Sequence, residues 1–319
     1  MKALVTGVAG FIGSTLAESL TADGVEVVGL DCFTDYYGRE IKQHNLRTLT
    51  SRPAFRFVEG ALQTTPLESV LDGVTHVFHL AAQAGVRGSW GDDFRTYTSH
   101  NVDSTQRLLE ALKKHPVERL VYASSSSVYG DVATIPMRED AFVQPVSPYG
   151  VTKLAAEHLC HLYQVNYGIP TVALRYFTVY GPRQRPDMAF HRFARAALTG
   201  TPIQLFGDGE QTRDFTYVDD IVSATRAAGD RGRAGRVYNI GGGSRVSMNE
   251  VIATIERITG RTLDVRRQPA EKGDMRDTFA DTTSARGDLG FKPAWTLEAG
   301  LERECEWMAG IIERPPVRA

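Results

Sequence analysis

The sequence has few cysteines and no long hydrophobic run. Its three cysteines, Cys32, Cys160 and Cys305, lie far apart and match no redox or metal-binding spacing. No apolar segment is long enough to span a bilayer, and no signal-peptide pattern precedes the first predicted strand, which begins at Lys2. A disulfide framework and a membrane span are therefore not expected, and the cytoplasm is the expected location.

Clusters of positive charge and metal-ligand spacings are also missing. The formal net charge of the 319 residues is -2, and Lys and Arg form no dense run, so neither nucleic acid nor membrane is expected as a partner. His, Cys, Asp and Glu occur in no spacing typical of a metal site, so no metal is expected. With 42% hydrophobic and 23% charged residues, the chain is typical of a globular protein with one large or two coupled domains.

A glycine-rich turn follows the first predicted strand. Residues 2–6 lead into Gly7-Val8-Ala9-Gly10-Phe11-Ile12-Gly13, which opens a helix. Glycines let the backbone turn tightly and approach a pyrophosphate, whose charge is stabilised by the helix amino terminus. This segment predicts a dinucleotide site.

An acidic residue, Asp31, ends the second predicted strand at 26–30. At that position a carboxylate accepts hydrogen bonds from the ribose of adenosine. Asp31 also repels a 2′-phosphate, and neither Cys32 nor Phe33 supplies a cation to hold one. The predicted cofactor is therefore NAD rather than NADP.

Predicted strands alternate with helices up to about residue 175. Further strands are expected at 55–58, 77–82, 120–122 and 171–176, and long helices at 92–114 and 149–167. This alternation predicts an α/β fold built on a doubly wound parallel sheet.

The alternation of strands and helices ends after residue 176, where a smaller domain is expected to begin. A strand at 237–241 is expected to return to the main sheet, so the two domains are predicted to be interleaved. The predicted cofactor domain comprises 1–176 and about 214–243, and the predicted substrate domain about 177–213 and 244–312. Residues 313–319 are predicted to form a tail.

Tyr149 and Lys153 project from one face of a predicted helix, because they are four residues apart. Tyrosine, with a pKa of about 10, is a poor base near neutral pH, but a neighbouring ammonium lowers that pKa. The serines at 124–127 follow the apolar strand at 120–122 and so lie at its carboxyl end, where ligands bind in a parallel sheet. These residues are predicted to form one site.

Together these motifs resemble the extended short-chain dehydrogenase/reductase family, and within it the NAD-dependent nucleotide-sugar epimerases. The resemblance covers nearly the whole chain and rests on residues 6–13, 80–82, 124–130, 149–153 and 213–220. The segments that resemble UDP-glucuronate 4-epimerases in particular are 35–37, 82–87, 177–182 and 185–189. The resemblance implies a Rossmann cofactor domain and a homodimer.

The resemblance implies reversible 4-epimerisation of UDP-glucuronate to UDP-galacturonate through a 4-keto intermediate. Tyr149 takes the proton of the sugar 4-hydroxyl, Lys153 lowers the pKa of Tyr149 and holds the nicotinamide ribose, and Ser125 hydrogen-bonds the same oxygen. NAD takes the hydride from C4 and returns it to the opposite face. The implied cofactor-binding residues are Gly7, Ala9, Gly10, Phe11, Ile12, Gly13, Asp31, Leu62, Leu80, Ala81, Ala82, Ser124, Tyr149, Lys153, Tyr176 and Val179.

The implied substrate-binding residues include several arginines and hydroxyls. Arg213 and Arg276 are expected at the diphosphate or ribose, and Arg87 is expected at either cofactor or substrate phosphates. Ser126, Ser127 and Thr178 are expected at the sugar carboxylate. The full set is Arg87, Ser126, Ser127, Thr178, Arg185, Arg192, Ile203, Arg213 and Arg276. Ala61 stands where the family usually has an Asp near the adenine, which removes one adenine contact.

Three other functions remain open. Dehydratases of this family carry Asp and Glu where this chain has Ser126 and Ser127, and UDP-glucuronate decarboxylases carry Glu at Ser127 and Asn at Thr178. Decarboxylation and 4-epimerisation of a neutral UDP-hexose are the enzymatic alternatives. The third is an NAD-sensing binding protein without catalysis, against which the presence of Ser125, Tyr149 and Lys153 weighs.

Overall fold

A seven-stranded sheet lies at the centre of the protein. The computed structural model describes residues 1–132, 134–269 and 275–313. The strands are β1 Lys2–Thr6, β2 Glu26–Asp31, β3 Phe55–Glu59, β4 His76–His79, β5 Arg119–Ser125, β6 Thr171–Tyr176, β7 Thr178–Tyr180, β8 Ile203–Phe206, β9 Thr212–Tyr217, β10 Val237–Ile240, β11 Ser244–Ser247 and β12 Val265–Gln268.

Helices follow most of these strands. They are α1 Phe11–Ala22, α2 Arg39–Leu46, α3 Leu67–Leu71, α4 Phe94–Tyr97, α5 Ser104–Leu112, α6 Pro148–Tyr167, α7 Ala189–Thr199, α8 Val218–Arg231, α9 Met248–Thr259, α10 Thr283–Leu289 and α11 Leu297–Glu313.

The large sheet has the strand order β10-β6-β5-β4-β1-β2-β3, and every neighbouring pair in it is parallel. The inner strand β1 is apolar because both faces are covered: Leu16 and Leu20 of α1 pack on one face, and Leu108 of α5 packs on the other. The predicted doubly wound parallel sheet is thus confirmed. The carboxyl ends of its strands share one edge, which is where a ligand cleft is expected.

Two small sheets lie beside the large one. β7, β9 and β11 form a three-stranded sheet, and β8 pairs with β12 in parallel. β10 pairs with β6 in the large sheet, as predicted for the returning strand. The predicted boundary at residue 214 falls inside β9, whose partners are β7 and β11, so the chain re-enters the large sheet only after α8.

The helix predicted at 92–114 is not continuous. The chain forms a short 3-10 turn at Gly91–Asp93, then α4, a π-helical segment at Thr98–Asp103, and α5. The wider π turn accompanies an inward-facing residue, Asn101, whose side chain is bonded to two other segments. Apolar periodicity carries no signal for such a turn, so the prediction of one regular helix was wrong.

Other predicted elements differ only at their ends. The strand predicted at 77–82 stops at His79, because Leu80 to Ala82 leave the sheet and line a cleft. Of the predicted tail, Glu313 is the last residue of α11 and 314–319 lie outside the described residues. No helix in the described ranges is long and apolar enough to cross a membrane.

Candidate active site

The glycine turn after β1 forms one wall of a cleft at the carboxyl edge of the large sheet. A Cβ at Gly7, whose φ is +71°, would lie 2.8 Å from the backbone nitrogen of Ala81, and one at Gly13 would lie 2.2 Å from the Gly7 carbonyl oxygen. α1 begins here with Gly10 as a cap that has no side-chain bond. Its first N–H groups are therefore available to an anion, as a pyrophosphate requires.

Asp31 lies at the end of β2, across the cleft from α1. Its carboxylate accepts hydrogen bonds from the backbone N–H groups of Ala9 at 3.0 Å and Phe33 at 2.8 Å. Burial raises the pKa of Asp31, and these bonds and the charge of Lys42 oppose that rise. The carboxylate is thus held in place before any ribose binds.

Lys42 is a cation that the sequence analysis missed. Its ammonium donates to the carbonyl and hydroxyl oxygens of Thr34, at 2.5 and 3.0 Å, and it lines the same cleft as Asp31. Burial lowers the pKa of Lys42, and Asp31 opposes this. No signal marked Lys42, because α2 is polar and only the fold brings it beside Asp31.

Tyr149 and Lys153 lie on the first turns of α6, facing the cleft. Ser147 caps this helix by accepting the N–H of Gly150 at 3.1 Å, and Pro148 occupies the first helical position. Burial raises the pKa of Tyr149, while the charge of Arg185 and a hydrogen bond from Ser125 lower it. Ser125 and Arg185 thus act on the same phenol.

Lys153 is buried, and burial lowers its pKa to about 7. Its ammonium lies 4.5 Å from the centre of the Tyr122 ring. The sequence analysis attributed the lowering of the Tyr149 pKa to Lys153. The charge of Arg185 lowers this pKa in the structure, where the ammonium of Lys153 packs on the Tyr122 ring. The effect of Lys153 on Tyr149 stays a prediction.

An ion pair supports the helix face that carries these residues. Glu157 on α6 accepts hydrogen bonds from Arg175 and from the hydroxyl of Ser124, the latter at 2.5 Å. The charge of Glu157 raises the pKa of Lys153, opposing the effect of burial. Ser124, predicted to bind the cofactor, lines the cleft, and its hydroxyl donates a hydrogen bond to Glu157.

Asn101, in the π-helical segment, is a second residue that the sequence analysis missed. Its amide bonds to both backbone groups of Gln83, at 2.7 and 3.1 Å, and donates to the Thr152 hydroxyl at 2.9 Å. Thr152 in turn donates to the Tyr149 carbonyl at 2.8 Å. Asn101 therefore ties the chain after Ala82 to the helix that carries Tyr149.

A second cavity adjoins the central cleft, and a third adjoins that second one through Val86, Thr178 and Arg213. Ser126, Ser127, Thr178 and Arg213 line the third, which we call the serine cavity. The second, called the arginine cavity, is lined by Arg87, Thr178, Arg185, Arg192, Gln204, Phe206 and Arg213 among others. Arg185 and Tyr36 line both the arginine cavity and the central cleft, so the two are neighbours.

Arg185 is held at this junction by two bonds. Its guanidinium donates to both carboxylate oxygens of Asp187, each at 3.0 Å. The Tyr36 hydroxyl, from the loop after β2, donates to the same carboxylate at 3.1 Å. A loop of the large-sheet domain thereby positions an arginine of the arginine cavity.

A family model matches residues 3–241 of the chain, and it describes the NAD-dependent epimerase/dehydratase family. The chain belongs to that family. The match extends from β1 through β10 and includes the glycine turn, Ser125, Tyr149 and Lys153.

Relatives of this epimerase/dehydratase chain match it along its whole length. An uncharacterized UDP-glucose epimerase, YtcB of Bacillus subtilis, is 45% identical over 98% of this chain and 99% of its own. The UDP-glucuronate 4-epimerase of Thermodesulfobacterium geofontis is 38% identical over 97% of each chain. The structure of the UDP-glucuronic acid 4-epimerase from Bacillus cereus, in complex with UDP-glucuronic acid and NAD, has a TM-score of 0.95, 43% identity, and coverage of 98% and 100%.

NAD is the cofactor of the epimerase/dehydratase family, and the central cleft fits it. The uncapped start of α1, the close backbone approach at Gly7 and the carboxylate of Asp31 match the pyrophosphate and ribose. All of the predicted cofactor residues line this cleft except Ala9 and Val179. Both are buried: Ala9 gives its N–H to Asp31, and Val179 packs in the core.

Two predicted substrate residues do not reach the cavities described above. Ile203 faces the core, with 2% of its surface exposed, because alternation along β8 turns Gln204 outward instead. Arg276 is 73% exposed and lies 3.5 Å from Asp208, while its carbonyl accepts a bond from Arg213 at 2.7 Å. Arg87 packs on the Phe206 ring at 4.2 Å, on the side of the arginine cavity rather than the central cleft.

Proposed function

We propose that the protein is a UDP-glucuronate 4-epimerase, which interconverts UDP-glucuronate and UDP-galacturonate. The observation that carries this is the serine cavity, where the hydroxyls of Ser126, Ser127 and Thr178 adjoin Arg213. Four groups that donate hydrogen bonds suit a carboxylate, which only accepts them when ionised. The named epimerases of Thermodesulfobacterium geofontis and Bacillus cereus support the assignment.

Tyr149 removes the proton of the sugar 4-hydroxyl. Its pKa is raised by burial, so the phenol needs nearby positive charge to act as a base. Arg185 supplies charge in the protein itself, and Lys153 adds to it when protonated. Ser125, bonded to the phenol, orients the same oxygen of the substrate. When bound, NAD supplies the acceptor and donor of the C4 hydride.

Inversion at C4 requires the 4-keto sugar to turn its other face towards the nicotinamide while the nucleotide stays bound. Arg87, Arg192 and Arg213 line the arginine cavity, and their charges suit a diphosphate. Gln204 and Phe206 lie beside them and are placed to contact the uridine. Holding the UDP half there lets the sugar rotate near Tyr149 without release.

The described residues that line the serine cavity include no acid. Dehydration requires acids where this chain has Ser126 and Ser127, so water loss lacks its catalyst. The hydroxyls of Ser127 and Thr178, from two different segments, fix the carboxylate instead. Their role is to hold the C5–carboxylate bond near the plane of the C4 carbonyl, where carbon dioxide is not lost.

A neutral UDP-hexose is the alternative substrate, favoured by the name of the 45% identical Bacillus subtilis relative, a UDP-glucose epimerase. Incubating the purified protein with UDP-glucuronate or UDP-glucose and following the products by NMR tests both. We expect a UDP-galacturonate signal at a rate at least tenfold above that of UDP-galactose. Equal rates, or UDP-galactose alone, would refute the uronate assignment.

Assembly and location are part of the same proposal. Val151, Leu162 and Val165 lie on one side of α6 and are each about half exposed or more, and this apolar face supports a homodimer. The three cysteines are free thiols, which supports the cytoplasm. We divide the chain into a cofactor domain around the large sheet and a substrate domain that includes β7, β9 and β11.

A further inference from the structure

A strained arginine lies in the turn between Thr178 and Arg185. Arg183 has a φ of +72°, in the left-handed region that residues other than glycine rarely adopt. Such a conformation persists where surrounding contacts hold it, and it is often found in segments that hold ligands. The contacts of Arg183 therefore show which other part of the protein holds this turn in place.

The guanidinium of Arg183 binds the amino-terminal helix. Its Nη2 lies 2.8 Å from each carboxylate oxygen of Glu18, and its Nη1 donates to the Ser14 hydroxyl at 3.2 Å. The side chains of Arg183 and Glu18 are only 19% and 22% exposed. A charge-assisted arrangement with this many bonds and little solvent holds its geometry well.

Ser14 and Glu18 are four residues apart on α1, the helix whose first turn lines the central cleft. Ser14 also donates to the carbonyl of Phe11, at 3.2 Å, which is the first residue of α1 and itself lines the cleft. Arg183 is thus linked through the Ser14 hydroxyl to the backbone of Phe11, at the proposed pyrophosphate site.

The other contacts of the turn lead to the substrate domain. Gln184 donates to the Val179 carbonyl at 3.0 Å and accepts the N–H of His191 on α7 at 2.9 Å. Gly181 donates to Glu304 on α11 at 3.0 Å. Among these contacts, those of Arg183 alone reach the cofactor domain.

We propose that Arg183 is a positioning residue that sets the Thr178–Arg185 segment against the cofactor helix. Thr178 and Arg185, at the two ends of this segment, line the serine cavity and the arginine cavity. Arg183 fixes their distance from Tyr149 through Glu18 and Ser14. The inference rests on the proposed function, since it concerns the same substrate.

Two variants remove the link with little other change. Arg183→Gly keeps the backbone conformation and removes the guanidinium, and Glu18→Gln removes the partner charge. We expect either to raise the KM for UDP-glucuronate about three- to tenfold, because the segment shifts while its own bonds to the substrate remain. The share of turnovers that release carbon dioxide should rise, while NAD content stays unchanged. The double variant should behave like each single one, because one interaction is lost.

Arg226 provides a matched control. From α8 it also binds α1, with Ser19 at 2.7 Å and Asp23 at 2.5 Å, but it lines neither the central cleft nor the arginine cavity. Arg226→Ala should lower the melting temperature and leave KM and carbon dioxide release unchanged. If Arg183→Gly does no more than this, or if the effects of Arg183→Gly and Glu18→Gln are additive, the inference is overturned. Wild-type protein that fails to epimerise UDP-glucuronate would instead refute the proposed function.

Discussion

The Arg175 guanidinium donates to both carboxylate oxygens of Glu157, at 2.7 and 3.2 Å, and both side chains are about 95% buried. Glu157 lies one helical turn beyond Lys153, and the Ser124 hydroxyl bonds to the same carboxylate. The helix face that carries Tyr149 and Lys153 is thereby attached to β5 and β6. Substitution of either charge should disturb both stability and the site.

Glu157→Gln should lower the free energy of unfolding by about 3–5 kcal/mol, because it leaves the Arg175 charge buried without a charged partner. Urea unfolding followed by far-UV circular dichroism measures this. Glu59→Gln is the matched control, since Glu59 pairs with Arg39 on the surface and both side chains are about half exposed. Equal losses of unfolding free energy for the two variants would show that the buried pair stabilises the protein no more than the exposed pair does.

His79 should make the protein sensitive to acid. Its ring is bonded to the hydroxyls of Thr6, at 2.7 Å, and Thr105, at 3.0 Å, and burial lowers its pKa from 6.5 to about 3. As pH falls below about 6.5 the unfolded chain binds a proton that the folded protein excludes until about pH 3, so stability is lost across that window. The loss amounts to roughly 5 kcal/mol over the whole window.

The measurement for His79 is the slope of unfolding free energy against pH. His79→Gln should flatten this slope between pH 6.5 and 4, even where its overall stability is lower. His158→Gln, on the exposed face of α6, is the control and should leave the slope unchanged. If His79→Gln leaves the slope unchanged, His79 is not the group that makes the protein sensitive to acid.

Asp31 should determine the choice of cofactor. Wild-type protein should bind NAD far better than NADP, because the carboxylate repels a 2′-phosphate. Asp31→Ser should reduce that preference at least about tenfold, since Lys42 remains in the cleft to attract the phosphate. Calorimetric titration with both dinucleotides measures it. Adding Lys42→Met should weaken NADP binding again, and equal affinities in the wild type would contradict this account of Asp31.

Tyr149→Phe should abolish epimerisation and leave binding nearly intact. The change removes the group that accepts the 4-hydroxyl proton and adds no bulk, so turnover should fall by more than about a hundredfold. Affinities for NAD and UDP, measured by calorimetry, should stay within about twofold of wild type. Activity within tenfold of wild type would refute the role given to Tyr149.

The sequence predicted those parts of the site that depend on local spacing. Tyr149 and Lys153 share a helix face, and the glycine turn and Asp31 follow strand ends, so each could be placed without tertiary contacts. Lys42, Asn101 and the effect of Arg185 on Tyr149 were not predicted. Each depends on side chains that meet across segments far apart in the chain.

Two predicted substrate residues do not line the cavities, and their binding roles stay predictions. Ile203 was assigned to the substrate by its segment, but alternation along β8 turns its side chain into the core. Arg276 was assigned by motif position, whereas its backbone carbonyl, bonded to Arg213, is what lies near the site. Motifs locate a segment, and only the fold determines which group of that segment faces a ligand.

Thr178 should protect the proposed 4-keto intermediate from decarboxylation. Oxidation at C4 places a ketone beta to the carboxylate on C5, and carbon dioxide is lost when the bond to the carboxylate aligns with the carbonyl π system. Thr178 lines the serine cavity with Ser127 and Arg213, where its hydroxyl is placed to donate to that carboxylate. A hydrogen bond to a charged group is worth roughly 1.5–3 kcal/mol. A preference of that size changes the population of the reactive rotamer by about one to two powers of ten.

Thr178→Val, which keeps the shape and removes the hydroxyl, should therefore slow epimerisation and raise the carbon dioxide released per epimerisation event. Thr178→Ser retains the hydroxyl and should stay close to wild type on both measures. Ser127→Ala combined with Thr178→Val should raise the carbon dioxide share further, because two donors are then lost. Carboxyl-labelled UDP-glucuronate gives carbon dioxide and UDP-galacturonate in the same reaction, so the ratio does not depend on enzyme concentration. If Thr178→Val loses rate with no rise in this ratio, the hydroxyl binds the substrate without controlling the angle of its carboxylate, and protection must come from Arg213 or from the shape of the cavity.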